Sequence, residues 1–265
     1  MSSQTHLLTQ ADAALSRAQE KISQKRLEEA LADLREASAG FENAGEVFGL
    51  ILALKISSEV NRDLGRLDGA LEQVKEAYTL LAEKKPHAEQ LPDFATETGS
   101  IYAELGQLEK AKQWYAQGLG GYESSGNVQG QAHNYLALAG LARYGSQESQ
   151  AQELLETAYG LYRQAGMPQQ MVQVRSAMAQ GLLATGEEQQ ALNYLTEALD
   201  LAREHNDLVG LGETHQLLAL VIAQQGNSER AEEHLRAATE HYRAAGDIEA
   251  AEFVQDLLQK LPPSS

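Results

Sequence analysis

The segment from Leu105 to Ala111, Leu-Gly-Gln-Leu-Glu-Lys-Ala, contains the motif that decides the fold of this chain. The segment from Leu64 to Ala70, Leu-Gly-Arg-Leu-Asp-Gly-Ala, has the same form one period earlier. Its final alanine recurs along the whole chain, at Ala30, Ala70, Ala111, Ala151, Ala191 and Ala231 (the ladder alanines). The steps are 40 residues, apart from one of 41. A fixed period of about 20–50 residues is typical of arrays in which small units stack on their neighbours.

The residues after each ladder alanine predict a helix, here called helix B. The fourth residue on is Leu34, Val74, Tyr115, Leu155, Leu195 or Leu235, the seventh is alanine or Gly118, and the eleventh is Phe41, Leu81, Tyr122, Tyr162, Ala202 or Tyr242. Offsets of 0, 4, 7 and 11 lie on one face of an α-helix. The fifteenth residue is glycine or asparagine in five repeats, which suits the left-handed position that ends a helix. Lys85 departs from this pattern, but Pro86 follows it and cannot continue a helix.

A second helix, helix A, precedes each ladder alanine. Its end is marked five residues before the alanine by Gly65, Gly106, Gly186 and Gly226, and by Ser146 beside Gly145 in the fourth repeat. We therefore predict an all-α solenoid that forms one domain over residues 1–265. Its six helix–turn–helix repeats lie at about 6–45, 46–85, 86–126, 127–166, 167–206 and 207–246. A capping helix at 247–261 follows, with Phe253, Leu257 and Leu258 on one side.

The spacing Gly-x4-Ala-x3-Leu-x2-Ala resembles the tetratricopeptide repeat, whose usual length is about 34 residues. A period near 40 is similar to the long-helix subclass found in kinesin light chains and bacterial peptide-pheromone receptors. The resemblance covers roughly residues 6–246. It implies a right-handed superhelix in which the A helices line a concave groove.

The resemblance also implies which A-helix positions face that groove. They are Lys55, Glu59 and Arg62; Thr96, Ser100 and Glu104; His133, Leu136 and Arg143; Gln173, Ser176 and Gln180; and Glu213, Gln216 and Leu220. Glu59 stands where chaperone-binding relatives have asparagine, so a clamp for a terminal carboxylate is not expected. A mixed, glutamine-rich groove suits a peptide or helix recognised by amide hydrogen bonds and small apolar pockets. As a hypothesis, Arg143 and the neighbouring Tyr144 anchor the ligand, since this pair of residue types is common at binding hot spots.

Composition excludes several classes of partner. The formal net charge is −17 and no cluster of lysine and arginine appears, so nucleic acid and anionic membranes are not expected partners. The acidity leaves two readings open, a basic partner or simply a well-solvated surface. There is no cysteine, no apolar stretch long enough to span a bilayer and no visible signal peptide, so a cytoplasmic location is expected.

No catalytic or cofactor motif is visible, so we expect neither an enzyme nor a bound cofactor. His234 and His241 lie seven residues apart on one helix face, where Ala237 and Ala238 between them offer no ligand. A solvated helix face, and not a metal site, is the expectation there. The glycine-rich segment at 118–121 has two readings, close helix packing or a flexing point.

The sequence thus predicts a non-enzymatic scaffold or adaptor that binds a protein or peptide. The alternative is a regulatory sensor that responds to a peptide and sequesters an effector protein. A third class, an obligate structural subunit, would need a broad apolar patch on the outer face. The outward B-helix positions are mostly charged or amide residues, which disfavours that class.

Overall fold

The computed structural model describes residues 3–261, and this part of the chain is all-α, as predicted. Its thirteen helices are α1 (Ser3–Ser23), α2 (Leu27–Ala44), α3 (Val47–Asp63), α4 (Leu67–Lys84), α5 (Leu91–Glu104), α6 (Leu108–Ser125), α7 (Val128–Tyr144), α8 (Glu148–Ala165), α9 (Pro168–Thr185), α10 (Glu188–Glu204), α11 (Leu208–Gln224), α12 (Ser228–Ala245) and α13 (Ile248–Gln259). Odd-numbered helices up to α11 are the predicted A helices, and even-numbered ones are the B helices.

The chain divides into two compact units, Met1–Gly130 and Gln131–Ser265. In the first unit α1 packs on α2, α3 on α4 and α5 on α6. In the second unit α9 packs on α10 and α11 on α12, while α9 also contacts α11 directly. Each unit is therefore built from A–B hairpins, and the A helices of successive hairpins can meet to form a shared surface.

The ladder alanines lie in the core of the hairpins. All six are fully buried, and so are Leu34, Val74 and Leu195 four residues further on. A methyl group at the ladder position lets a neighbouring helix approach, while the larger side chain one turn later fills the space beside it. The pattern of small and large residues therefore sets the spacing of the helices in every hairpin.

Each A–B turn contains one residue in the left-handed region, always five residues before the ladder alanine. These residues are Lys25, Gly65, Gly106, Ser146, Gly186 and Gly226. The predicted stops of the B helices are left-handed too, at Gly45, Gly126, Gly166, Asn206 and Gly246. Lys85 instead has a φ of −143° and leads into a longer connection, so α5 begins only at Leu91. The step from Ala70 to Ala111 is 41 residues long, and its extra residue lies between Lys85 and Ala111.

The glycines of α6 pack closely against α5. A Cβ on Gly118 would lie 2.6 Å from Thr96 Oγ1 and 3.1 Å from the carbonyl oxygen of Pro92. A Cβ on Gly121 would overlap the Pro92 ring, whereas one on Gly120 would meet nothing within 4 Å. The helix is continuous from Leu108 to Ser125. Close packing therefore accounts for Gly118 and Gly121, and Gly120 has no such role.

The capping helix α13 forms as predicted, and Leu257 and Leu258 lie on its packed side, but Phe253 does not. Ala251 and Val254 are buried and Leu258 is partly buried against the same apolar cluster, whereas Phe253 is exposed. The prediction that Phe253 shares the packed side was wrong. Positions 251, 254 and 258 define the inner stripe, and residue 253 lies about 100° around the helix from Val254.

Candidate functional site

In the first unit, the predicted groove residues of α3 and α5 pair with one another. Arg62 Nη2 donates to Ser100 Oγ at 2.8 Å and forms an ion pair with Glu104. On α3, Lys55 Nζ lies 3.8 Å from Glu59 Oε1. The structure thus brings these five residues onto adjoining helices, but their charges are already neutralised within the protein.

Two residues beside this group were not predicted. The Ser58 hydroxyl donates to Glu97 Oε1 at 3.1 Å, linking α3 to α5. Burial raises the pKa of the Glu97 carboxyl above its usual value, and the bond from Ser58 only partly offsets this effect. Thr96, which was predicted to face the groove, is buried against Gly118 of α6. Thr96 and Glu97 are adjacent, so their side chains point about 100° apart around α5. The spacing of residues in the sequence does not determine which of the two faces the groove.

The predicted residues of α7 have mixed environments. His133 and Tyr144 are exposed, and Leu136 is partly buried against the apolar cluster around Leu155. Arg143 Nη2 donates to the carbonyl oxygen of Ala177 at 2.7 Å, and its Nε lies 3.4 Å from Glu148 Oε2. Arg143 therefore already ties α7 to α8 and α9.

A cleft of about 330 Å³ lies between α9 and α11 in the second unit. We call it the amide cleft. Its walls are Gln173, Ser176, Ala177, Gln180, Glu213, Gln216 and Leu217. Five of these seven were predicted from the sequence, three on α9 and two on α11. The structure therefore brings the predicted positions of these two A helices together in one concave surface.

The amide cleft offers hydrogen-bonding groups with little charge. Ser176 is only 5% exposed, and its hydroxyl oxygen has no hydrogen-bond partner in the protein. Gln173 and Gln180 are exposed on either side of it, two turns of helix apart. Burial raises the pKa of the Glu213 carboxyl, with a smaller contribution from Asp207. A buried hydroxyl without a partner costs about 1–3 kcal/mol, so a ligand group that bonds Ser176 would remove this penalty.

A larger cleft of about 600 Å³ lies in the first unit, where the connection between α4 and α5 meets α6. It is lined by Pro86, His87 and Glu89 of the connection and by Gly120 and Gly121 of α6. None of the predicted groove positions lines it. Its presence follows from the long connection and from the missing side chain at Gly120.

Three histidines meet between α11 and α12. His215 Nδ1 lies 2.8 Å from His234 Nδ1, and the rings of His215 and His241 stack with their centroids 5.6 Å apart. The expectation that His234 and His241 lie on a solvated face was wrong, because α11 covers that face. Within residues 3–261, no group of three or more histidine or acidic residues is suited to hold a metal ion. None of the helices described is both long enough and apolar enough to cross a bilayer.

The comparisons with known proteins agree with this architecture. A family model described as the tetratricopeptide repeat matches residues 97–120, which include the motif at 105–111. The chain is 27% identical over 182 residues to protein kinesin light chain-related 3 of Arabidopsis thaliana. That alignment covers 63% of this chain and 26% of the plant protein, so the chain spans about a quarter of that relative's length.

Solved structures with helical repeats are similar over nearly the whole chain. Aspartyl phosphate phosphatase F from Bacillus subtilis has a TM-score of 0.75 at 12% identity, covering 98% of this chain and 72% of its own. A Rap protein in complex with competence and sporulation factor has a TM-score of 0.64 at 14% identity, covering 96% and 75%. Identities this low indicate a shared fold and no more. Together with the 40-residue motif, they show that the chain shares the fold of helical-repeat proteins, and the family-model match shows a tetratricopeptide repeat at residues 97–120.

Proposed function

We propose that the chain is a non-enzymatic scaffold that binds a peptide segment or a helix of a partner protein against its A helices, with the amide cleft as the principal contact. The observation that carries the proposal is the unpartnered Ser176 hydroxyl, buried in a cleft between exposed glutamines. Buried polar groups normally have partners, and one without a partner at the base of a cleft suits a bound ligand group.

The chemistry of the cleft favours a peptide. Each glutamine side chain offers two donors and one acceptor, and so can bond both the N–H and the C=O groups of a peptide backbone. The spacing of Gln173 and Gln180, two helical turns, corresponds to about 10 Å along α9. An extended peptide covers that distance with about three residues.

The paired charges of the first unit are a further reason to assign peptide recognition to the amide cleft. Arg62, the cation best placed there to attract an acidic ligand, is bonded to Ser100 and Glu104. A ligand that used the Nη2 group of Arg62 would have to displace these partners. Binding through neutral amides in the second unit has no such cost.

The proposal is tested by affinity capture with the full chain from an extract of the cells that produce it. Partners are identified by mass spectrometry, and the affinity of the captured segment is then measured by fluorescence anisotropy. The double substitution Gln173→Ala/Gln180→Ala removes both exposed amides from the cleft. At about 1 kcal/mol per lost hydrogen bond, we expect roughly 30-fold weaker binding.

The matched control is Gln164→Ala/Gln189→Ala, which removes two exposed glutamines from the B helices α8 and α10. We expect this control to bind like the unchanged protein. Equal binding by both double variants would contradict the proposal. If the captured segment instead alters how a second protein binds the chain, the alternative function as a peptide-responsive sensor is favoured.

The proposed anchor at Arg143 and Tyr144 has its own test. Arg143→Ala also removes the bond to the Ala177 carbonyl, so its effect on affinity includes a structural part. Tyr144 is highly exposed, so Tyr144→Ala changes the surface with little effect on the core. An affinity left unchanged by both substitutions would exclude the anchor while leaving the role of the amide cleft intact.

A further inference from the structure

A second cleft, of about 270 Å³, adjoins the amide cleft in the same unit. We call it the leucine cleft. Leu217, Leu220 and Ala223 of α11 form one wall, and Leu257 of α13 and Leu261 form the other. Leu220 is 52% exposed although it is a large apolar side chain. An exposed group of apolar side chains arranged as a concavity is typical of a binding site.

The two clefts form one continuous surface. Gln216 and Leu217 line both of them, so α11 carries hydrogen-bonding groups at one end and apolar groups at the other. Glu213, Gln216 and Leu220 follow one another at spacings of three and four residues, which places them along one helix face. A ligand that lies across the amide cleft in the direction of α13 therefore reaches the leucine cleft next.

The size of the leucine cleft determines what can occupy it. A stable interface between two copies of a protein takes roughly 20–30 residues from each partner, many more than the nine residues that line this cleft. Of the residues that line the cleft, Lys260 alone carries a charge, and its exposed ammonium group forms an ion pair with Asp256. The remaining chemistry is that of a pocket for one apolar side chain.

We propose that the leucine cleft holds one bulky apolar side chain, such as leucine, methionine or phenylalanine, of the peptide whose backbone lies in the amide cleft. This inference rests on the proposed function and specifies its ligand. The peptide would then combine a polar segment, recognised through its backbone, with a single apolar anchor. Burial of the apolar side chain provides affinity. Because Gln216 lies at a fixed place between the two clefts, it determines how far along the peptide the apolar residue must be from the segment bound in the amide cleft.

The probe for the test is a random dodecapeptide library displayed on phage and selected against the full chain. We expect the selected peptides to share a leucine, methionine or phenylalanine at one position. Replacing that residue with alanine in the synthetic peptide should weaken binding by about 10- to 100-fold, the effect of no longer burying one such side chain.

The same peptides are measured against Leu220→Gln, with Val209→Gln as the matched control. Val209 is on the same helix and is 43% exposed, but it lies outside both clefts. On Leu220→Gln, the anchor-to-alanine change should lose most of its effect, because the pocket and the anchor interact directly. On Val209→Gln, the full effect should remain.

Each other outcome has a distinct meaning. If no peptide is enriched, or if selected peptides bind Gln173→Ala/Gln180→Ala unchanged, the proposed function itself fails. If peptides need those glutamines but carry no shared apolar residue and bind Leu220→Gln unchanged, only the leucine-cleft inference is overturned. If peptides carry a shared apolar residue but its replacement by alanine weakens binding equally on Leu220→Gln and on the unchanged chain, the anchor binds elsewhere, and the inference is again overturned.

Discussion

The stability of the second unit should fall between pH 7.5 and pH 5 because of His215. This residue is only 8% exposed, and its ring lies between His234 and His241 with Arg203 nearby. Burial, with added repulsion from these neighbours, lowers its pKa from 6.5 to about 4. The Glu233 carboxylate acts to raise the pKa of the neighbouring His234, but the pKa of His234 is still lowered, chiefly by burial.

The direction of the effect follows from the lowered pKa. Below pH 6.5 the unfolded chain binds a proton at this residue and the folded chain does not, so unfolding is favoured as the pH falls. At pH 5, midway through the range, a shift from 6.5 to about 4 corresponds to about 2 kcal/mol of lost stability. Below pH 4 the loss levels off, since both states are then protonated.

The assay is urea unfolding of the full chain at pH 7.5 and pH 5, followed by circular dichroism. The substitution His215→Gln keeps an amide that can bond His234 but cannot titrate. Between pH 7.5 and pH 5, the free energy of unfolding of this variant should therefore fall by about 2 kcal/mol less than that of the unchanged chain. Because a repeat array can unfold in steps, hydrogen exchange in α11 provides the local measurement. His205→Gln, at an exposed position that ends α10, is the control and should behave like the unchanged chain. Equal pH dependence in the unchanged chain and in His215→Gln would refute the reasoning.

Four further predictions concern packing and hydrogen bonding, and each is checked by urea unfolding of the full chain at pH 7.5. Gly120→Ala should stabilise the chain by about 1 kcal/mol, because the added methyl meets open space within a helix. Gly118→Ala should instead destabilise it by about 1–3 kcal/mol, because the methyl would press on Thr96 and a backbone carbonyl; a gain in stability would mean that α5 and α6 can separate freely. Leu155→Ala should cost about 2–5 kcal/mol through the cavity it leaves, and a loss below 1 kcal/mol would show that the site collapses. Tyr122→Phe should cost about 1 kcal/mol by removing the 2.6 Å bond to Asp93, with an unchanged midpoint as the contrary result.

The repeat could be predicted from the sequence because burial and turn geometry each require particular residue types. Only a small side chain fits where a B helix meets its neighbours, so Ala30 and its five equivalents recur at a fixed interval. Glycine tolerates the left-handed conformation that ends a helix, so Gly45 and Gly126 mark helix ends directly. These requirements repeat identically and are visible in a single sequence.

The contents of the groove could be predicted only in part. The amide cleft contains five predicted residues, because all of them lie on the inner faces of α9 and α11. The pairing of Arg62 with Glu104, 42 residues away, depends on which side chains of α3 and α5 meet across the surface. The contact of His215 with His234 depends in the same way on helix register. Spacing along the chain does not determine these contacts.

The left-handed residues of the A–B turns have a consequence for local stability. Lys25 and Ser146 adopt a conformation that glycine adopts at the other four equivalent turns. A residue with a Cβ is strained there by roughly 1–2 kcal/mol. In a stacked array, stability is the sum of local contributions, so strain in one turn weakens mainly its own hairpin. The first and fourth hairpins should therefore open more readily than their neighbours. Repeats of nearly equal geometry would then differ in their local free energy of unfolding.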